Sequence, residues 1–329
     1  MKVSVIVVTW NEEKNIAQCI DSLLKQNLSQ EEYEILIIDG DSQDKTQAIV
    51  KEYVKKYTSI HLYVKEKGSI AECRNIGIKN AKYGYVAFTD ADCIVPENWL
   101  TQLQDGFSRH SVENCAGVGG ANIPPASGNQ FQKAIGIVFS SWLGSLGSIQ
   151  AMPVKEDKQV FSISCSNSLY KKQALIEVNM FTEELGNQGE DWDMGAKLQQ
   201  KKYVVCGIHD SFVWHHLRPD AKSFWKNMVF YGDGRMLLTK KHPTIIKPKY
   251  FIPLFFIPIF VFSAVLFALF HYPVLLVPFL YFPFILLYSI IIAIKKPTLI
   301  PLVFIAFLVQ HFGYSLGELK GLRWFFDKL

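Results

Sequence analysis

Residues Tyr85–Asp92 read YVAFTDAD, an apolar run that ends in two aspartates separated by one residue. The run predicts a buried strand over Tyr85–Thr89. Asp90 and Asp92 can reach one ligand if the backbone turns between them, and carboxylate oxygens suit Mg²⁺ or Mn²⁺ ions that bridge substrate phosphates. Aspartates at this spacing are also common in solvated loops, so it is their position directly after a strand that predicts a metal site.

Strands and helices alternate on the N-terminal side of this stretch. Further apolar runs predict strands at Val3–Val8, Ile35–Ile38 and His61–Val64. Helices are expected between them, with Asn11 as the cap of the first and Ser69–Ala81 as the third. This alternation predicts an α/β fold with parallel strands, in which ligands bind at the carboxyl ends of the strands. Asp39 and Asp90 are both expected there.

Arg74 falls on the inward stripe of the predicted helix at Ser69–Ala81. A buried guanidinium is costly unless it meets an anion. A diphosphate or Asp90 would serve, and a purely structural Arg–Asp pair is the alternative.

The sequence Gly189-Glu190-Asp191 opens a helix that is predicted to run to about Lys201. Asp191 shares a face with apolar residues, and the helix dipole favours its ionised form. It could therefore take a proton from an acceptor hydroxyl, a role typically worth ~10²–10⁴-fold in rate. The alternative is that Glu190, Asp191 and Asp193 only cap the helix.

The rest of this region is less regular. Strands are predicted at Val160–Tyr170 and Tyr203–Trp214, and Phe131–Met152 is either a core helix or an interfacial one. His215 and His216 follow a strand, where adjacent side chains point to opposite faces. At most one of them is therefore expected to reach a site, as a metal ligand or a phosphate donor.

The C-terminal part is membrane-like. Of 329 residues 49% are hydrophobic and the mean hydropathy is +0.13, yet Phe251–Phe312 has only two charged residues, Lys295 and Lys296. Candidate membrane segments lie at about Phe251–Phe270, Pro273–Ile294 and Leu299–Leu316, each near the ~20 residues that a crossing needs. The third could instead be re-entrant or interfacial.

Basic residues predict the orientation of these segments. Lys240, Lys241, Lys247 and Lys249 precede the first one, and with Lys295-Lys296 they predict the cytoplasmic side of a cell membrane. The net charge of +4 is too small to indicate nucleic acid. Six scattered cysteines without a CxxC pair predict neither a zinc site nor disulfides. The N-terminal apolar run lacks a cleavage site and is interpreted as a strand.

Five motifs in this order resemble those of the family 2 inverting glycosyltransferases, whose catalytic domain has the GT-A fold. They are VSVIVVTWNE at Val3–Glu12, IIDGDSQDKT at Ile37–Thr46, AECRNIG at Ala71–Gly77, FTDAD at Phe88–Asp92 and GED at Gly189–Asp191. We therefore expect a catalytic domain at 1–220, an interfacial basic segment at 221–249 and a membrane domain of two or three helices at 250–329. The chain lacks the Gln-x-x-Arg-Trp motif of processive synthases, which argues against polymerisation.

The resemblance implies a role for each matching residue. Thr9 and Asp39 would hold the nucleotide base, and Arg74 the ribose–phosphate side. The expected donor-binding residues are Thr9, Asp39, Asp41, Arg74, Asp90, Asn167 and Glu190. Asn167 belongs to a segment that resembles the lining of the sugar and acceptor pocket.

The same resemblance implies a metal-assisted reaction. The metal, Mg²⁺ or Mn²⁺, would be held by Asp92 and Asp90, with His215 or His216 as a further ligand. Asp191 would be the base that activates an acceptor hydroxyl. The expected partners are a nucleotide-sugar donor such as a UDP- or GDP-sugar, a lipid-linked sugar or polyprenyl phosphate as acceptor, and membrane lipid.

Three other functions compete with this expectation. A polyprenyl- or dolichyl-phosphate sugar synthase would use the lipid phosphate as its nucleophile and would hardly need Asp191. A non-catalytic subunit of a polysaccharide export complex would bind nucleotide or glycan without transfer. A dinucleotide-binding dehydrogenase is disfavoured, because the glycine-rich stretch Gly117–Gly120 does not open a helix after the first strand.

Overall fold

The computed structural model describes residues 1–110, 114–145, 155–244 and 248–326. The chain divides into two compact units. The first comprises Met1–Pro125 and Ser148–His216, and the second comprises Ala126–Gly147 and Leu217–Leu329. This division differs from the predicted one, which placed residues 126–147 in the catalytic domain.

One mixed sheet forms the first unit. Its described strands are β1 (Val3–Thr9), β2 (Tyr33–Asp39), β3 (Ile60–Val64), β4 (Tyr85–Asp90), β5 (Cys93–Ile94), β6 (Cys115–Ile123), β7 (Lys158–Val160), β8 (Ser168–Lys171) and β9 (Val204–His215). They lie in the order β3-β2-β1-β4-β8-β6-β9-β5, with β7 also paired to β9. The first four strands are mutually parallel, whereas β8 runs antiparallel to β4 and β6. The predicted α/β class is confirmed.

The helices follow the predicted alternation in the first half of the chain. The α-helices of the described residues are α1 (Ile16–Leu24), α2 (Thr46–Lys56), α3 (Ile70–Asn80), α4 (Trp99–Arg109), α5 (Gln130–Phe139), α6 (Trp142–Ser145), α7 (Lys172–Glu177), α8 (Glu190–Gln200), α9 (Ala221–Lys241), α10 (Phe256–Phe270), α11 (Tyr281–Ala293) and α12 (Ile300–Gly321). Two apolar clusters cover the sheet and together bury β1, β2 and β4 almost completely.

Two local predictions about the first unit were wrong. Asn11 does not cap α1, which begins at Ile16; Asn11 has a positive φ, and its side chain accepts a hydrogen bond from the backbone N–H of Gln43. The predicted strand at Val160–Tyr170 is divided, because β7 ends at Val160 and β8 begins only at Ser168. The residues between them form a loop that contributes Cys165 to the candidate site.

The second unit is helical. Three stretches are long and apolar enough to cross a membrane: Pro253–Phe270, Pro273–Ala293 and Pro297–Phe325. Of the predicted helix at Phe131–Met152, α5 and α6 are described, and α5 packs into an apolar cluster with α9, α11 and α12. Residues 146–152 and Lys247 lie outside the described residues.

Helix α9, which falls in the predicted interfacial segment at 221–249, packs along α12. Glycines make this approach close: a Cβ added at Gly317 would lie 2.2 Å from the carbonyl oxygen of Val229, and one at Gly232 would lie 2.2 Å from that of Tyr314. Small residues at such positions let helix backbones approach each other closely, as in membrane helix pairs.

Candidate active site

The parallel register brings three predicted residues to the same edge of the sheet. Thr9 pairs with Asp39 across β1 and β2, and Val8 pairs with Asp90 across β1 and β4. All of them lie at the carboxyl ends of their strands, where an α/β sheet binds ligands. The hydroxyl oxygen of Thr9 is buried and has no hydrogen-bond partner among the described residues.

Asp39 organises the turn that follows β2. Its Oδ1 accepts hydrogen bonds from the backbone N–H groups of Asp41 and Ser42 at 3.1 and 2.7 Å and from the amide of Gln47 at 2.9 Å. Its Oδ2 accepts one from the hydroxyl of Ser42 at 2.6 Å. Oδ2 accepts only this one hydrogen bond among the described residues, so it retains capacity for a further donor. Asp41 has a φ of 78° and is partly exposed.

Arg74 is buried, as the helical stripe predicted, and it meets three carboxylates. Its Nη1 lies 2.8 Å from Oε1 of Glu190 and 3.2 Å from Oδ1 of Asp191, and its Nη2 lies 3.5 Å from Oδ1 of Asp90. The Arg74 side chain is only 4% exposed, whereas those of Asp90 and Asp191 are 32% and 21% exposed. The arginine therefore contacts these carboxylates from the protein interior, while Asp90 and Asp191 remain accessible to solvent.

Helix α8 places two of these carboxylates. It begins after Gly189, whose φ of 69° is favourable for glycine and allows the chain to turn into the helix. Asp191 is held at both oxygens, because its Oδ2 accepts a hydrogen bond of 3.2 Å from the backbone N–H of Cys165. Burial raises the pKa of Glu190 to about 7; Asp191 acts in the same direction and Arg74 opposes it. Asp193, in contrast, is buried and accepts a hydrogen bond from the hydroxyl of Thr182.

A second cluster lies where β5 pairs with β9. Oδ1 of Asp92 lies 3.3 Å from Nε2 of His215, and the Sγ of Cys93 lies 4.0 Å from the same oxygen. One potential ligand atom from each of these three residues lies within 4.8 Å of the others. A carboxylate and an imidazole are ligands that divalent first-row metals accept, so the donor set fits a metal ion.

Two predicted metal ligands, Asp90 and His216, are not members of this three-residue cluster. Asp90 is bonded to Arg74, as described above. His216 donates its backbone N–H to the carbonyl oxygen of Asp92, but its ring Nε2 is buried without a partner among the described residues. The structure therefore brings the ring of His215 to the Asp92 carboxylate, whereas His216 contacts Asp92 through its backbone.

Asn167 lies in the interior of the first unit. It is fully buried, and its side-chain oxygen accepts hydrogen bonds from the indole N–H of Trp99 and the hydroxyl of Ser211. Its amide donates to the carbonyl oxygen of Ala121. These contacts hold the side chain in the interior, and the expected donor-binding role of Asn167 stays a prediction.

Sequence reasoning missed Cys93. It was counted among scattered cysteines that match no zinc pattern, although it directly follows Asp92. Its partner His215 is distant in the chain, and only the antiparallel pairing of Cys93 with His215 brings them together. Cys165 lies two residues before Asn167, and its backbone contact with Asp191 depends on the loop between β7 and β8.

A mixed α/β sheet with acidic residues at the strand ends, a DxD pair and an acidic helix N-terminus is what the resemblance to GT-A glycosyltransferases implies. Residues 4–178, more than half of the chain, match the family described as Glycosyl transferase family 2. The chain therefore belongs to glycosyl transferase family 2.

Similar proteins agree with this assignment. A protein of Methanococcus voltae named dolichyl N-acetyl-alpha-D-glucosaminyl phosphate 3-beta-D-2,3-diacetamido-2,3-dideoxy-beta-D-glucuronosyltransferase is 29% identical over 243 residues, which are 73% of this chain and 74% of that protein. The GgaB minor teichoic acid biosynthesis protein of Bacillus subtilis is 28% identical over 255 residues, but the matched part is only 26% of its length.

Among solved structures, the mannosyltransferase PcManGT of Pyrobaculum calidifontis in complex with GDP-Man and Mn²⁺ has a TM-score of 0.60. It is 15% identical, and the match covers 94% of this chain and 86% of that one. At this identity the likeness concerns the fold alone, and it confirms the predicted GT-A fold.

Proposed function

We propose that this glycosyltransferase moves a sugar from a nucleotide-sugar donor to a lipid-linked glycan with inversion, using Asp191 as the general base. The observation that carries the proposal is the environment of Asp191. Its carboxylate is fixed by Arg74 and by the N–H of Cys165, yet its side chain is 21% exposed. A base must be held in place and still be accessible to the hydroxyl whose proton it removes.

The nucleotide is assigned to the carboxyl ends of β1 and β2. The buried Thr9 hydroxyl has no partner, and Oδ2 of Asp39 retains capacity for one more hydrogen bond. Both features suit hydrogen bonding to the edge of the nucleotide base. Asp41, two residues after Asp39, is assigned to the same donor-binding region. Arg74 and Glu190 are assigned to the donor side, where Arg74 also orients Asp191.

Mg²⁺ or Mn²⁺ would be held by Asp92 and His215. When bound, such an ion stabilises the negative charge that develops on the leaving diphosphate. Four carboxylates lie in these contacts: Asp90, Asp92, Glu190 and Asp191. Only Arg74 and His215 oppose them with positive charge, so the excess of acidic side chains supports a site for a cation. The Mn²⁺ in the complex of the Pyrobaculum enzyme agrees with this assignment.

The acceptor is assigned to the membrane. The relative from Methanococcus voltae is named for transfer to a dolichyl-linked sugar phosphate, and three apolar stretches of this chain could cross a bilayer. We place the chain in the cell membrane as a multi-pass protein. The basic residues Lys240, Lys241, Lys295 and Lys296 favour a cytoplasmic catalytic domain.

The test is donor turnover by the full chain in detergent, with a panel of UDP- and GDP-sugars, Mn²⁺ and a lipid extract. We expect Asp191→Asn and Asp92→Ala to lower the rate of transfer by ~10²–10⁴-fold. Asp105→Asn is the matched control, because Asp105 is exposed on α4. NMR of the product should show the opposite anomeric configuration from the donor.

The outcomes separate the competing functions. Full activity of Asp191→Asn together with loss in Asp92→Ala would mean that a lipid phosphate is the acceptor and that Asp191 is not the base. Retention of the donor's anomeric configuration would overturn the proposed mechanism. Failure to turn over any nucleotide sugar would favour a non-catalytic glycan-binding subunit.

A further inference from the structure

A tight turn holds the second oxygen of Asp191. This oxygen, Oδ2, accepts a hydrogen bond from the backbone N–H of Cys165, which lies inside the turn at 164–167. The backbone N–H of Asn167 donates to the carbonyl oxygen of Ser164 at 3.1 Å and closes the turn. The direction of the Cys165 N–H, and with it the contact to Asp191, therefore depends on what fixes this turn.

The side chain of Asn122 contacts both serines of the turn. Its Nδ2 donates to the hydroxyl of Ser166 at 2.6 Å and to that of Ser164 at 3.3 Å. The two hydroxyl oxygens lie 2.6 Å from each other. The serines flank Cys165 in the chain, so these contacts fix the turn on both sides of the N–H that holds Asp191.

The end of β6 places Asn122 at this turn. The register between β6 and β9 shifts at Gly120, between the paired residues Gly119 and Ala121. Irregularities of this kind redirect the side chains that follow them. A Cβ added at Gly120 would clash with the carbonyl oxygen of Ser211, so the close approach of the two strands requires glycine.

We propose that Asn122 is a positioning residue for the general base: it fixes the turn so that the Cys165 N–H stays on Asp191. The inference rests on the proposed function, in which Asp191 is the base. The Oδ1 of Asn122 is buried and accepts no hydrogen bond among the described residues, which is costly and indicates that the side chain is placed for the contacts of its Nδ2. A hydrogen bond to a carboxylate favours the ionised form, which is the form that accepts a proton.

The experiment compares sugar transfer to the lipid extract by the full chain in detergent for the wild type, Asn122→Ala, Asp191→Asn and the double variant. Asn122→Ala should lower kcat by about 10–100-fold and change the KM for the donor by less than about threefold, because the base is displaced while the nucleotide contacts remain. The acid limb of its kcat–pH profile should move to higher pH, since the ionised base loses a hydrogen bond. In the Asp191→Asn background the same substitution should change the residual rate by less than about threefold.

Ser164→Ala tests the same contact with a smaller change, because Ser164 is only partly buried. It should lower kcat by a smaller factor, and Ser164→Thr, which keeps the hydroxyl, should restore most of the rate. Asn80→Ala is the matched control: Asn80 also donates its side-chain amide, to the carbonyl oxygen of Ile76 at 2.9 Å, but it is exposed at the end of α3. It should transfer sugar at the wild-type rate.

Thermal unfolding of each variant shows which of them remain folded. Wild-type kcat in folded Asn122→Ala and Ser164→Ala would overturn the inference. Equal losses from Asn122→Ala in the wild-type and Asp191→Asn backgrounds would overturn it as well, because the side chain would then act independently of the base.

Hydrogen exchange separates this inference from the proposed function. NMR with isotope-labelled cysteine reports the Cys165 amide, which should exchange about tenfold faster or more in Asn122→Ala than in the wild type. If Asp191→Asn transfers sugar at the full rate, or no variant transfers any, the proposed function fails, and faster exchange still shows that Asn122 fixes the turn. If Asp191→Asn is inactive but the Cys165 amide exchanges equally in Asn122→Ala and the wild type, the proposed function stands and this inference fails.

Discussion

The two units of this chain differ in how many acidic side chains contact a buried or half-buried arginine. In the first unit, Arg74 meets the carboxylates of Glu190, Asp191 and Asp90, so the acids outnumber the base. In the second unit, Asp233 is bonded to Arg323 at 2.7 Å and to the indole N–H of Trp324 at 3.0 Å. Three carboxylates contact one arginine in the first cluster, whereas in the second one carboxylate contacts an arginine and an indole N–H.

This difference distinguishes a binding site from a structural contact. Buried charges are costly unless they are compensated, so a surplus of partly buried carboxylates indicates that a cation or protons complete the site. The Asp233 carboxylate, in contrast, already contacts a guanidinium and an indole N–H. The number of acids around an arginine therefore indicates a binding site more strongly than the burial of the arginine does.

The largest effect is expected when Arg74 is removed. In Arg74→Met three carboxylates lose their shared partner, and breaking a buried ion pair typically costs ~3–5 kcal/mol. Sugar transfer should also fall strongly, because Asp191 loses one of the two groups that hold it. Thermal or denaturant unfolding in detergent and donor turnover measure the two effects.

Arg323→Met is the matched control in the second unit. Its side chain is 45% exposed, so the pair with Asp233 is screened by solvent, and exposed pairs are worth only ~0–1 kcal/mol. Transfer should be unchanged. Equal losses of stability in the two variants would contradict the distinction between the clusters.

Local sequence patterns predicted the buried arginine and the acids at the strand ends, which are part of the candidate site. The inward position of Arg74 follows from helical periodicity, and the positions of Asp39 and Asp90 follow from strands that end at polar residues. Pairing over long distances was not predictable: β9 joins β5, and the loop before β8 brings Cys165 to Asp191. Asn167 shows the same limit, because a motif cannot reveal that Trp99 and Ser211 occupy its hydrogen-bonding groups.

An intermediate effect is expected at the contact between α9 and α12, where the second unit relies on close backbone packing. In Gly317→Ala the new Cβ would lie 2.2 Å from the carbonyl oxygen of Val229, so the helices must separate. Helix propensity alone favours alanine by ~1 kcal/mol, but overpacking typically costs ~1–3 kcal/mol and should exceed it. We expect a lower free energy of unfolding in detergent.

Gly84→Ala makes the same substitution in the first unit, where nothing lies within 4 Å of the added Cβ. Its stability should stay within about 0.5 kcal/mol of the wild type. If Gly317→Ala were as stable as Gly84→Ala, close packing of α9 on α12 would not matter to the second unit.

The smallest effect is expected in the pH dependence of the free energy of unfolding, to which the Glu190 carboxyl beside Arg74 contributes. Burial raises the pKa of Glu190 from 4.5 to about 7, so between these pH values the folded protein binds a proton that the unfolded chain has released. This contribution to stability is fully present below pH 4.5 and is lost as the pH rises through about 7. One proton changes the free energy of unfolding by at most ~1.4 kcal/mol per pH unit, and sharing of the charge with Arg74 and Asp191 makes the slope smaller.

Denaturant unfolding of Glu190→Gln at pH 5, 6, 7 and 8 should show a shallower decline than the wild type, while Glu66→Gln, at an exposed turn, should follow the wild type. Parallel curves for wild type and Glu190→Gln would mean that the carboxylates around Arg74 are already balanced, and the contrast with Asp233 and Arg323 would disappear.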